Sequence, residues 1–131
     1  MRTAALIAAA AMAAAAPALA HHSFAMFDLT KEQPLVGTIK EVQFTNPHVW
    51  LQVLVPDDKG GQTEWGLEAG APGMLLRTGW KVNTLKPGDK VSLVMHPAKS
   101  GATNGSLVRI TVPDGRTLGP GGAPPALKAG G

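Results

Sequence analysis

Five runs of alternating apolar residues, a short segment bounded by Pro72 and Gly79 after the third run, and a first run that changes phase midway predict a mainly β fold. Three strands, one short helix between strands three and four, then two strands is the order of a small five-stranded OB-like barrel. Closing the sheet into a barrel also reduces the free edges that would otherwise pair with other chains. An open two-sheet sandwich of the same strands is the alternative.

Residues 35–118 supply the barrel. In the first strand, Leu35 to Phe44, Leu35 and Ile39 share one face while Val42 and Phe44 share the other, as a bulge in a curved strand produces. Asn46-Pro47 makes a turn, and Val49, Leu51, Val53 and Val55 then alternate as a second strand with one buried face. Pro56 to Gly61 has the composition of a hairpin loop. Thr63, Trp65 and Leu67 form one face of the third strand, and Trp65 is expected in the core with Leu67. Met74 to Thr78 reads as a short helix, with Pro72 near its start and Gly79 just past its end. Trp80, Val82 and Leu85 lead to the Lys86-Pro87-Gly88-Asp89 turn. Val91, Leu93 and Met95 mark the fourth strand, and Val108, Ile110 and Val112 the fifth, with a Gly-containing loop from Ser100 to Gly105 between them.

The two ends read differently. Met1-Arg2-Thr3, an apolar run from Ala4 to Ala16, the helix breaker Pro17 and the small-x-small triplet Ala18-Leu19-Ala20 have the order of a signal peptide, residues 1–20. That run is too short to span a bilayer, which takes about 20 apolar residues. Cleavage between Ala20 and His21 is expected to leave a periplasmic or secreted protein. Residues 21–34 form an N-terminal arm, and Phe24, Met26 and Phe27 make it too apolar to float free, so it is expected to dock. Residues 119–131, mostly Gly, Pro and Ala, are expected to be a disordered tail. Twelve Lys and Arg against nine Asp and Glu, with Arg2 inside the leader, is too even a balance for a dedicated nucleic-acid binder. The absence of cysteine excludes disulfides, thiolate chemistry and Cys-based metal sites.

Histidine carries the chemistry that remains. The four are His21, His22, His48 and His96. By strand parity His48 sides with Trp50 and Gln52, and His96 with Ser92 and Val94, so both point away from the barrel interior. Cleavage frees the α-amine of His21, giving an amine and an imidazole nitrogen at chelating distance. Such nitrogen-rich sets suit Cu(II), Ni(II) or Zn(II), with copper favoured by intrinsic affinity. Each histidine also has a plainer reading: an exposed polar start for His21 and His22, support of the turn for His48, the end of a strand for His96. Barrel topology places His96 near the start of strand one, within reach of the arm, and His48 nearer its other end. His21 with His96, or His21 with His48, is therefore more economical than a four-histidine site. Met26 and Met95 are read as core fillers rather than thioether ligands. Glu64 and Glu68 share a face but sit roughly 13 Å apart along the strand, which reads as two solvated side chains. Trp50 is the candidate for ligand contact on the barrel surface.

Ala18-Leu19-Ala20 with His21 to Asp28 (His-His-Ser-Phe-Ala-Met-Phe-Asp), Gly37-Thr38-Ile39, Thr45-Asn46-Pro47-His48-Val49-Trp50, Trp65 to Glu68, Arg77-Thr78-Gly79-Trp80, Leu85 to Asp89, His96-Pro97 and Pro113 to Arg116 together resemble a family of small exported bacterial proteins of unknown function. The likeness runs over nearly all of the chain after the leader. It implies export and a single domain, and implies no activity. The residues themselves lead to the expectation of a monomeric periplasmic domain that binds a transition metal, copper first, through the processed His21 with His48 or His96, as a carrier or buffer. The alternative is a non-metal module that holds a peptide, glycan or partner protein at Trp50.

Overall fold

A computed structural model of the chain describes residues 25–121. The expectations for the leader, for His21, His22 and Phe24, and for the tail beyond Gly121 fall outside the described residues. Within them lie six strands and one helix: β1 (Gln33–Gln43), β2 (Trp50–Pro56), β3 (Gln62–Glu68), α1 (Pro72–Arg77), β4 (Lys90–Pro97), β5 (Asn104–Thr111) and β6 (Thr117–Leu118). Their order across the sheet is β3-β2-β1-β4-β5-β6, and a parallel pairing of β3 with β5 closes the first five into a barrel. The OB-like order is borne out. β6 adds a two-residue antiparallel hairpin to β5, after the turn at Pro113-Asp114-Gly115.

Alternation explains the strands. Leu51 and Val53 of β2, Leu67 of β3, and Val91, Leu93 and Met95 of β4 all point inward and are buried. The phase change in β1 is a bulge, with the register to β2 shifting between Ile39 and Glu41. A second shift falls where Val94 faces Arg109 and Met95 faces Leu107. It makes Val108 the extra residue, so Leu107 and Ile110 are buried where even alternation from Val108 had been expected.

Helix α1 closes one end of the barrel. Leu75 is its buried residue, Gly79 takes the left-handed conformation (φ 102°) just beyond it, and the chain returns so that the Trp80 N–H donates to the Leu75 carbonyl. Trp80 is buried, with its indole N–H donating to the Gly119 carbonyl at 3.1 Å. Trp65 only partly enters the core, packing against its margin.

The described part of the arm docks as expected. Phe27 bridges to Ala98 just past β4 and is 2% exposed. The Asp28 N–H donates to the Pro97 carbonyl, and the Lys99 N–H to the Met26 carbonyl. Met26 does not fill a core gap: it is 49% exposed. Phe27 is the residue that is buried, and its extended neighbour faces the other way.

Candidate functional site

The site-bearing surface follows from register. Residues that face one another across paired strands put their side chains on the same face. Trp50 of β2 faces Glu68 of β3, Glu68 faces Ser106 of β5, and Ser106 faces His96 of β4. These four form one row on the outer face, because their neighbours Leu51, Leu67, Leu107 and Met95 are the inward residues. Gln52, Gly66 and Asn104 form the adjoining row.

Glu68 is the residue that the sequence reading missed. Strand parity predicts two solvated side chains at Glu64 and Glu68, yet of the two only Glu64 is exposed, paired with Lys40 at 2.7 Å. Glu68 is 8% exposed, and its Oε1 lies 2.6 Å from His48 Nδ1. Backbone bonds from Val49 N–H to the Gly70 carbonyl and from Ala69 N–H to the Val49 carbonyl extend the β2–β3 pairing past both strands. That extension sets His48 diagonal to Glu68 on the outer face. His48 thus serves a carboxylate rather than the backbone of its turn. Burial pushes the Glu68 carboxyl above its ordinary range, and the charge and hydrogen bond of His48 pull it part of the way back.

His96 is half-buried, and its Nδ1 lies 2.7 Å from the Lys31 carbonyl oxygen. A carbonyl can only accept, so Nδ1 carries a proton, and in the neutral ring the lone pair stands at Nε2. The expected placement of His96 beside the start of strand one and the arm is borne out, with Gln33 facing Met95. His48 lies at the other end of β1, where Gln43 faces Trp50. Three strand spacings separate β2 from β4 by way of β3 and β5, roughly 14 Å around the barrel. The structure therefore does not bring His48 and His96 together in one first contact. Among the described residues no group of three or more His, Asp or Glu side chains could hold a metal ion. Met95 is fully buried, as a core filler should be.

Residues 8–108 match the family described as a family of unknown function, DUF6152. The chain belongs to the DUF6152 family. The match spans both histidines of the described surface, Trp50 and Glu68, and assigns none of them a role. No curated protein and no solved structure matches this DUF6152 chain. No helix among its described residues is long and apolar enough to cross a membrane.

Proposed function

We propose that this DUF6152 protein is exported, is cleaved after Ala20, and binds one transition-metal ion, copper first, through the freed terminus of His21 together with His96. It acts as a carrier or buffer. The observation that supports this reading is the state of the His96 ring. Its Nδ1 is committed to the Lys31 carbonyl, which in the neutral ring leaves Nε2 as the nitrogen free to ligate. A histidine that ligates metal through one nitrogen typically donates its other N–H to a carbonyl or carboxylate in this way.

The docked arm supports the choice of partner for the terminus. The Phe27–Ala98 bridge and the Lys99–Met26 hydrogen bond tie the arm two and three residues beyond His96 along the chain. Four residues run from Ala25 back to His21, a tether of at most about 14 Å. His96 is the ring beside which the described arm packs, at the Lys31 carbonyl, and the terminus is proposed to fold back to it. His48, with Nδ1 on Glu68, is the other candidate ring. Amine and imidazole nitrogens without thiolate favour Cu(II) over softer-ligand metals.

Copper titration of protein beginning at His21, followed by electron paramagnetic resonance, tests the reading. One equivalent should bind with a nitrogen-rich spectrum. A single residue added ahead of His21 should weaken binding at least about tenfold. Unchanged affinity and spectrum in that extended protein would remove the terminal amine from the site.

A further inference from the structure

We infer that the outer face built by Trp50, Gln52, Gly66, Glu68, Asn104 and Ser106 is a saccharide-binding site, independent of the proposed metal centre and using none of its ligands. The row geometry places these six side by side across β2, β3 and β5. Bordering them are the segment before β2, residues 44–49, and the β4–β5 connection, residues 98–103. Strands two and three with these two loops form the face on which barrels of this type hold extended ligands.

The side chains define the ligand's chemistry. Glu68 is a carboxylate buried on the outside of the barrel, a costly placement that a solvated surface would not require. Its Oε1 is held by His48, which leaves Oε2 as an oriented acceptor. The Asn104 amide oxygen meets no donor among the described residues; it is closed to solvent, so a ligand hydroxyl satisfies it only when the amide turns toward the face. Gly66 carries no side chain, and the Gln52 amide lies beside it: a Cβ there would sit 3.5 Å from Gln52 Oε1 and 3.9 Å from the Asn104 Cβ. Half-buried Trp50, facing Glu68, supplies an indole surface.

An indole beside several acceptors suits a neutral ring with one apolar face and hydroxyl donors at its edge. That is the description of a pyranose. The six residues include a carboxylate and no cation, so a phosphodiester backbone would be repelled. A cationic peptide is the competing class, since an indole next to a carboxylate also attracts ammonium groups.

The test titrates the ¹⁵N-labelled protein with cellotetraose, with the tetramer of N-acetylglucosamine, and with a tetralysine peptide, following the Trp50 indole N–H. One of the saccharides should shift that resonance with saturation below about 1 mM. Trp50→Ala and Gln52→Ala should each weaken binding, the former at least about tenfold. Gln52→Ala keeps the test open if loss of Trp50 disturbs folding, because Gln52 is only half-buried and its removal uncovers no core. No shift from either saccharide at about 10 mM overturns the inference. So does a response to tetralysine alone, or native affinity in the Gln52→Ala protein. Metal binding at His21 and His96 should be unaffected by either substitution, so the two proposals fail separately.

Discussion

Replacing His48 by alanine should destabilise the fold in a pH-dependent way. His48 Nδ1 meets Glu68 Oε1 at 2.6 Å, and the carboxylate is nearly buried while the ring is 35% exposed. Hydrogen bonds to charged groups contribute about 1.5–3 kcal/mol. Breaking a fully buried pair would cost about 3–5 kcal/mol, but removing a part-exposed ring lets water reach the carboxylate and offsets some of the loss. A cost of about 1–3 kcal/mol at pH 7 follows. Burial raises the Glu68 carboxyl in the folded state, so this group favours folding while protonated. That contribution is full below its unfolded value and is lost as pH rises through the folded one. His48 opposes that loss, and its deletion should therefore be felt only where Glu68 is ionised. Urea unfolding read by tryptophan fluorescence at about pH 7 and about pH 4 should show the cost at the first and well under half of it at the second. An equal cost at both, or none at pH 7, would refute the assignment of the pair.

Three further variants have expected outcomes. Phe27→Ala should cost about 3–5 kcal/mol in urea unfolding, because a large side chain that is 2% exposed leaves a cavity. Hydrogen exchange should show faster loss of the Asp28 and Lys99 amide protons in the same variant, as the arm detaches. Gly105→Ala should destabilise by about 1–3 kcal/mol, since its Cβ would collide with Met95 Sδ and stand 2.7 Å from the His96 carbonyl oxygen, which calorimetry can check. Lys40→Ala should change stability by less than about 1 kcal/mol, its pair with Glu64 being exposed.

The barrel was legible because its strands obey period two, and even the β1 bulge showed as a phase change between Ile39 and Val42. Phe27 announced a docked arm simply by being too apolar for solvent. Which arm residue turns inward was not legible. Met26 and Phe27 are adjacent apolar residues, and the bridge to Ala98 decides between them. Val108 misled for a related reason: an inserted residue in β5 shifts the parity, and the chain Leu107-Val108 offers two apolar residues to either phase. Glu68 was the larger miss. Local pattern matched it to Glu64, two residues either side of Gly66, whereas its burial depends on His48, which approaches through a pairing that continues beyond β2. A diagonal contact of that kind has no signature in the spacing of either strand. The parallel closure of β3 on β5, which aligns Glu68 with Ser106 and His96, is equally non-local.

The central claim is that His96 Nε2 joins the processed terminus around one copper ion. Pulsed electron paramagnetic resonance of copper-loaded protein beginning at His21, compared with its His96→Ala variant, tests it most directly. The claim predicts that modulation from the remote nitrogen of the His96 imidazole is present in the native protein and missing from the variant, whose copper affinity falls about 10–100-fold. Identical spectra and equal affinities in the two proteins would contradict it.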